Sequence, residues 1–145
     1  MSNSGSPPAQ PEVYPGLIIA APTYSEEMAI DEQKRALIGE WRCDWPGASG
    51  DSSTLIIHEI DGAKGKARCT FVFQPGDADK TEHEVLADFF PGENPKLKFK
   101  ASREEHKKDF TCILYNRELL GISFVGSVRG VAMSNTTTMY KYPKK

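Results

Sequence analysis

Residues 37–45, Leu-Ile-Gly-Glu-Trp-Arg-Cys-Asp-Trp, decide how the rest of the chain can be interpreted. The odd-numbered residues of this stretch are apolar or small, and the even-numbered ones from Glu40 onward are charged. Alternation with a period of two is typical of a β-strand that has one buried and one solvated face. Gly39 stands two residues before Trp41 and leaves room for the indole ring to lie across the strand. We therefore expect a first strand here, with Trp41 pointing into the core.

Length and charge restrict the classes of protein to which the chain can belong. A chain of 145 residues suffices for one domain with a substantial core. Eighteen basic and 20 acidic side chains give a formal net charge of -2, which does not favour nucleic-acid binding. No segment approaches the roughly 20 apolar residues of a membrane-spanning helix, and the N-terminus lacks the pattern of a signal peptide. The sequence therefore predicts a cytoplasmic protein without a nucleic-acid partner or a membrane span.

Motifs for metal binding and for catalysis are missing from the sequence. The odd number and wide spacing of Cys43, Cys69 and Cys112 suit neither a disulfide framework nor a clustered zinc site. We expect three buried free thiols that pack as small hydrophobic side chains. The three histidines have no spacing for a shared metal, and there is no glycine-rich phosphate loop or serine elbow. We predict no metal and no cofactor.

The N-terminal region differs in composition from the rest of the chain. Residues 1–23 contain five of the ten prolines and one charged residue, Glu12, which is typical of an extended or disordered tail. Thr23 and Glu26 then fit a capping box, and apolar residues recur at helical spacing. We predict a tail over residues 1–23 and a domain over residues 24–145, which begins with a helix of about three turns.

Eight alternating segments, separated by turn residues, follow this helix. The predicted strands are residues 37–45, 54–60, 66–73, 83–89, 96–101, 110–115, 119–124 and about 129–142. Segments 102–109 and 125–129 are predicted as loops. Eight short antiparallel strands, each with one buried face, favour an all-β fold, an eight-stranded antiparallel up-and-down barrel with a short N-terminal helix; a β-sandwich is the alternative. The odd-numbered connections are the longer and more polar ones, so their end is the predicted mouth.

Strand alternation also predicts which side chains point into the barrel. If Trp41 is inward, so are Trp45, Leu55, Ile57, Phe71, Phe73, Val85, Ala87, Leu97, Phe99, Cys112, Leu114, Val131 and Met133. Small inward residues such as Ala67 and Gly121 favour a cavity over an interior filled by side chains. The residues expected outside include Ile56, Val72, Leu86 and Ile113. By the same alternation Leu120, Ile122 and Phe124 are also outside, unless the register of the seventh strand is reversed. Outward apolar residues favour a homodimer.

Gly39 and Trp41 after a short helix, eight strands in order and Lys141 near the end of the last one resemble the lipocalin-like, or calycin, superfamily of small β-barrels. The resemblance covers about residues 35–142. In that superfamily the tryptophan packs at the closed end of the barrel beneath a basic side chain of the last strand. The resemblance implies that Trp41 and Lys141 form this pair, with Gly39 beside them, and that lysine replaces the usual arginine.

Polar residues at the predicted mouth are candidates for contact with a ligand. His83 and Arg129 begin strands at this end and share the inward face, whereas His58 and His106 look structural or solvated. The predicted ligand contacts are Trp45, Phe71, Phe73, His83, Phe99, Arg129 and Met133. The only candidates for a catalytic role are His83 and Arg129.

Two functional hypotheses remain from the sequence. The apolar lining favours a barrel that binds a small hydrophobic or amphipathic molecule. The alternative is a barrel isomerase or cyclase that acts on a hydrophobic biosynthetic intermediate in the same cavity, mainly by orienting it. In either case the partner is a small hydrophobic molecule.

Overall fold

The computed structural model describes residues 30–47, 50–103 and 106–143. The helix is α1 (Ile30–Leu37), and the strands are β1 (Gly39–Asp44), β2 (Ser52–Asp61), β3 (Lys66–Gln74), β4 (Thr81–Phe90), β5 (Lys96–Arg103), β6 (His106–Asn116), β7 (Leu119–Val128) and β8 (Val131–Tyr142). The predicted tail and the predicted start of the helix, with its capping box, lie outside the described residues.

The strands form a closed antiparallel barrel. Each strand pairs with the next along the chain, and β1 pairs with β8 to complete the circle. The predicted up-and-down barrel with a short preceding helix is therefore confirmed, and the β-sandwich is wrong. Closure leaves no strand without two neighbours, which removes the free edges that an open sheet would expose.

The core is built from the inward side chains that alternation predicts for residues 41–114. Trp41, Leu55, Cys69, Leu97 and Leu114 are fully buried. Phe73 and Val85, also expected inside, are partly buried and pack against this core. In this part of the chain the period-two pattern thus locates the interior correctly, because one face of each strand is buried along most of its length.

The prediction of which side chains of β7 point inward is wrong. Leu120, Ile122 and Phe124 are buried inside the barrel, and Gly121 lies on the other face, where a β-carbon would meet the ring of Tyr115 at 2.7 Å. A β-bulge shifts the register between β6 and β7 by one residue. Such a shift exchanges the two faces of a strand, and counting along the sequence cannot detect it.

Two segments predicted as loops are strand. β6 begins at His106, and β7 continues to Val128, so the connections at residues 104–105 and 129–130 are short rather than long. Val131 and Met133, expected inside, are 68% and 41% exposed, because this end of β8 projects past the packed core. Strands that are solvated on both faces lose the hydrophobic alternation by which they are recognised.

Two ladders of the barrel are much shorter than the others, and we call them the seams. β4 and β5 pair only over Asp88–Phe90 with Lys96–Lys98, and β1 and β8 pair only over Glu40–Arg42 with Tyr140–Tyr142. Both seams lie at the end where β1 begins. They join a first half, β1 to β4, to a second half, β5 to β8. Among the described residues no ladder joins the halves at the opposite end, which is the mouth.

The helix α1 lies across the closed end of the barrel. The side-chain oxygen of Gln33 accepts a hydrogen bond of 3.1 Å from the backbone N–H of Gly92, in the turn between β4 and β5. Glu32 lies 3.7 Å from Arg117, in the turn between β6 and β7. Ile30 packs against the turn between β2 and β3. The helix therefore contacts all three turns at this end.

Trp41 and Lys141 are direct neighbours in the ladder between β1 and β8. Lys141 Nζ lies 4.5 Å from the centre of the Trp41 ring and donates hydrogen bonds to the carbonyl oxygens of Ala36 and Ile38 at 3.0 and 2.9 Å. Trp41 Nε1 donates to the carbonyl oxygen of Leu37 at 2.8 Å. These bonds fasten the end of α1 to the barrel and satisfy polar groups whose burial would otherwise be costly.

Candidate functional site

Five aromatic rings fill the barrel between its middle and its mouth. Phe110 lies at the centre of this set, with its ring centre 4.7 Å from that of Phe71, 5.0 Å from Phe99 and 5.5 Å from Phe124. Trp45 meets Phe124 edge-on at 5.3 Å. We call these five residues the aromatic layer. Since all five are buried and the rings come from both halves, the interior at this level is filled by the protein itself.

Trp45 is held in this layer by a buried hydrogen bond. Its indole Nε1 donates to Ser53 Oγ at 2.7 Å, and Ser53 is 2% exposed. An indole N–H without such an acceptor would be costly to bury, so the serine fixes the orientation of the ring. Trp45 is therefore a rigid part of the layer.

A row of four residues crosses the inner face of the second half one step closer to the mouth. The ladders place Ala101 beside Lys108, Lys108 beside Gly126, and Gly126 beside Met133. We call these residues the mouth row. Lys108 is thus flanked by alanine and glycine, the two residues with the smallest side chains. On the Gly126 side the backbone comes close, since a β-carbon on Gly126 would collide with the carbonyl oxygen of Lys107. The small side chain of Ala101 lies on the other side of the Lys108 stem.

The ammonium group of Lys108 lies over two aromatic rings. Its Nζ is 4.9 Å from the ring centre of Phe73, in the first half, and 4.7 Å from that of Phe124, in the second half. Burial lowers the pKa of Lys108, and the negative charge of Asp51 partly opposes this shift. Among the described residues, no oxygen accepts a hydrogen bond from Lys108 Nζ. This amine is a polar group that lies over apolar ring faces at the mouth.

The structure brings some of the predicted ligand contacts together and separates others. Phe71, Phe99 and Trp45 form part of the buried aromatic layer, Phe73 lies against Lys108, and Met133 ends the mouth row. His83 is partly buried on β4, opposite Phe71 in the ladder. These contacts thus lie on two levels, the aromatic layer and the mouth row, and the second is the nearer to the mouth.

The sequence predicts that Arg129 begins the last strand, but this strand begins at Val131. Arg129 lies in the two-residue turn between β7 and β8 with a φ of 53°, followed by Gly130 with a φ of 80°. Positive φ at both central positions is typical of a tight hairpin that follows the twist of its strands. The exposed Arg129 is therefore at the tip of the hairpin, beyond the mouth row, and is not a rim residue of the barrel.

Sequence reasoning missed the residue that distinguishes this site, Lys108, and two rings of the aromatic layer, Phe110 and Phe124. Lys108 stands between Lys107 and Asp109 in a run of charges, which favoured a solvated loop. The available signal was parity, because Lys108 has the same parity as the inward residues of β6.

A groove of about 860 Å³ lies outside the barrel, along β1, β2 and β8. The guanidinium of Arg42 stacks on the ring of Tyr142 at 3.4 Å. Arg42 points to the outer face and does not contribute to the interior. It also pairs with Glu40 at 2.6 Å. Hydroxyl groups of serine, threonine and tyrosine provide most of the remaining lining.

His58, expected to be structural or solvated, is exposed on the outer wall. Its Nε2 is 2.7 Å from Thr70 Oγ1, which in turn donates a hydrogen bond of 2.8 Å to Glu84. Because the threonine hydrogen is used by the carboxylate, the imidazole must donate to Thr70. The chain His58, Thr70 and Glu84 therefore links β2, β3 and β4 across their solvated face.

The cysteines are buried free thiols, as predicted. Burial raises the pKa of Cys43 and of Cys69 to about 12 and also raises the pKa of Cys112. Neutral thiols are poor nucleophiles and poor metal ligands. In the described ranges, no group of three histidine, cysteine or acidic side chains is placed to hold a metal ion.

Among the described helices, none has the length and apolar character to cross a membrane. Comparisons of the chain with protein-family models, with curated proteins and with solved structures found no match. Function must therefore be inferred from the barrel and from the contacts around Lys108.

Proposed function

We propose that the protein binds a small hydrophobic or amphipathic molecule at the mouth of its barrel, with the polar end of that molecule at Lys108. The observation that carries this proposal is the position of Lys108. It faces inward between Ala101 and Gly126, and its Nζ lies over the rings of Phe73 and Phe124. A single cation above an apolar floor, with small neighbours, suits a ligand that has an apolar body and one oxygen-bearing end.

The aromatic layer determines how deep such a ligand would lie. Its ring contacts fill the middle of the barrel, so the ligand would rest above them, against Phe73 and Met133. Each square ångström of apolar surface removed from water contributes about 25 cal/mol. A hydrogen bond from the Lys108 ammonium would add about 1.5–3 kcal/mol. The apolar contribution and the polar one can therefore be removed separately by mutation.

We also propose that the barrel is of the lipocalin-like, or calycin, kind. The closed eight-stranded barrel and the short helix support this assignment. So does the cluster of Gly39, Trp41 and Lys141 at the closed end. The role of this cluster is structural closure, and ligand binding would take place at the opposite end of the barrel.

Titration with an apolar anionic dye, 1-anilinonaphthalene-8-sulfonate, tests the proposed site. We expect the dye to bind with a rise in fluorescence and Ala101→Leu to weaken binding about tenfold, because the larger side chain would cover Lys108, its ladder neighbour. Ser102→Leu is the matched control, since the neighbouring Ser102 is exposed and points outward. Equal binding by both variants, with native circular dichroism in each, would contradict the site.

The lysine is tested with its own neighbour as the control. Lys108→Met keeps an apolar stem but removes the charge, and we expect it to weaken dye binding about tenfold or more. Lys107→Met removes an equal charge from the exposed outer face and should change binding less than about twofold, through long-range electrostatics alone. If the two variants bound equally, Lys108 would not be the polar contact.

In the part of the chain that the structure describes, no contact favours the isomerase or cyclase alternative. His83 and Lys108 share the inward face near the mouth in that part, and no hydrogen bond joins either of them to a second acid or base. Native mass spectrometry of the freshly purified protein would identify a retained ligand. A candidate substrate returned in altered form would favour the enzyme, and His83 would be the first residue to replace.

The outer wall supports the proposal of a homodimer. Leu86 is 66% exposed, and Ile56, Val72 and Ile113 are partly buried on the same outward parity. Exposed apolar side chains of this kind commonly mark association surfaces. Light scattering at high concentration should give the mass of a dimer and Leu86→Lys that of a monomer. A monomeric mass for the unmodified protein would contradict the dimer.

A further inference from the structure

Lys108 differs from Lys66 and Lys141 in the groups that its amine contacts. Lys66 pairs with Asp88 on the outer wall, and Lys141 donates to two carbonyl oxygens at the closed end. Lys108 instead directs its Nζ at the faces of Phe73 and Phe124. Such an amine has no acceptor to give up when its nitrogen forms a new bond, at least among the described residues.

The surroundings of Lys108 favour the neutral, nucleophilic form of its amine. Burial lowers the pKa of Lys108, and the negative charge of Asp51 partly opposes this shift. The two ring faces also favour the ammonium ion. Each unit by which the pKa falls raises the neutral fraction at neutral pH about tenfold. Desolvation of a lysine by apolar neighbours is one of the recognised ways in which proteins activate it as a nucleophile.

We propose that Lys108 binds a hydrophobic aldehyde covalently and reversibly, as an imine between Nζ and the carbonyl carbon. This inference rests on the proposed function, because it specifies the polar end of the ligand that meets Lys108. The surroundings leave the lysine within reach of a ligand: Lys108 is only partly buried, its neighbour Ala101 has a small side chain, and Met133 provides an apolar surface beyond Gly126.

The reaction needs no oxidant, reductant or metal. The lone pair of the neutral amine attacks the carbonyl carbon, a C–N bond forms, and the carbonyl oxygen takes up a proton to give a carbinolamine. The hydroxyl group then leaves as water and the nitrogen loses its remaining exchangeable proton, so that a C=N bond results. The balance is amine plus aldehyde giving imine plus water. Rings that exclude water from the C=N bond slow the reverse hydrolysis.

Reductive trapping of the unmodified protein tests the inference directly. The protein is incubated at pH 7 with decanal and sodium cyanoborohydride, which converts an imine into a stable secondary amine. Peptide mapping by mass spectrometry then locates the decyl group. We expect the decyl group mainly on Lys108 and not on Lys107, its exposed neighbour, because burial lowers the pKa of Lys108. Equal modification of Lys107 and Lys108, or labelling that follows exposure alone, would overturn the inference.

A second arm separates this inference from the proposed function. Decan-1-ol has the same hydrocarbon chain and cannot form an imine, so its displacement of 1-anilinonaphthalene-8-sulfonate measures binding at the mouth alone. Displacement by the alcohol without a decyl group on Lys108 would leave the binding function standing and overturn the imine. If neither molecule displaced the dye and Lys108 stayed unmodified, both would be overturned.

Two variants complete the design. Lys108→Arg keeps the positive charge but lacks a nucleophilic amine, so we expect this variant to lose the preference for decanal over decan-1-ol in displacing the dye. Lys107→Arg should keep that preference. The mapping on the unmodified protein needs neither variant, so poor folding of either one would not remove the test.

Discussion

Lys141 passes over Gly39 so closely that a β-carbon on the glycine would lie 2.9 Å from Lys141 Cε. Gly39 also has a φ of 133°, which residues other than glycine rarely adopt. The lysine cannot easily move away, because its Nζ is bonded to the carbonyl oxygens of Ala36 and Ile38. The first strand thus begins with a glycine for two independent reasons, one conformational and one steric.

These two reasons can be separated by mutation. Gly92 has a similar φ of 151°, but nothing lies within 4 Å of its missing β-carbon. We expect Gly92→Ala to cost about 1–2 kcal/mol of unfolding free energy and Gly39→Ala about 1–2 kcal/mol more, since it adds the collision. Urea denaturation measures both. In a Lys141→Met background the additional cost at Gly39 should largely disappear, and a cost that persisted would place the strain elsewhere.

Lys141 itself should contribute to stability through its buried hydrogen bonds. Lys141→Met leaves the carbonyl oxygens of Ala36 and Ile38 without their donor, and we expect a loss of about 2–3 kcal/mol. Lys66→Met, which breaks an exposed ion pair with Asp88, is the control and should cost less than about 1 kcal/mol. Both are measured by urea denaturation. Similar costs for the two variants would show that the closed end does not depend on Lys141.

Removal of the acceptor of Trp45 should destabilise the aromatic layer. Ser53→Ala leaves a buried indole N–H unsatisfied, which we expect to cost about 1–3 kcal/mol and to change the fluorescence of Trp45. Ser52→Ala changes the preceding residue, which alternation places on the other face, and should leave both properties nearly unchanged. Equal stability of the two variants would mean that Trp45 finds another acceptor.

The three buried thiols predict a loss of stability at alkaline pH. Folding raises the pKa of Cys43 and Cys69 from 9.0 to about 12, so between these values the unfolded chain releases protons that the folded one keeps. Stability is therefore full below pH 9 and falls as the pH rises towards 12, by about 1.4 kcal/mol per pH unit for each thiol.

Denaturation as a function of pH checks this, with Cys69→Ala as the comparison. This variant should show a shallower fall above pH 9, and an unchanged slope would contradict the assignment. In the native protein at pH 8 the thiols should also react slowly with Ellman's reagent, whereas all three should react at once in guanidinium chloride.

The sequence predicts which side chains of a strand point inward only where one face of the strand is buried along its whole length. In β1 and β3 every second residue is apolar or glycine, and Trp41 and Phe71 lie inside as alternation predicts. Around β7 the adjacent Leu119 and Leu120 fit either phase, and the bulge that selects one of them arises from pairing with β6. The fold could therefore be predicted from the sequence, although the inner face of β7 could not.

The candidate site was less predictable for the same physical reason. Lys108 lies where the strands extend beyond the core, so its neighbours Lys107 and Asp109 are solvated and the segment resembles a charged loop. The small residues beside it, Ala101 and Gly126, are 7 and 18 positions away in the chain. Only the pairing of strands β5, β6 and β7 brings them together, and sequence spacing contains no signal for that.

The two seams have a consequence for how the barrel opens. Each seam is a short ladder at the closed end, at Asp88–Phe90 with Lys96–Lys98 and at Glu40–Arg42 with Tyr140–Tyr142. A rotation of one half against the other about this end would widen the mouth and leave the long ladders within each half intact. It would break the hydrogen bonds that the side chains of Asn135 and Thr137 donate to the carbonyl oxygens of Pro46 and Asp44. Amide hydrogens of β2, β3, β6 and β7 should accordingly exchange with solvent most slowly, since each of these strands is paired on both sides by a long ladder. The two halves would then move as rigid units about the closed end. The helix α1, which contacts turns of both halves, would limit the rotation.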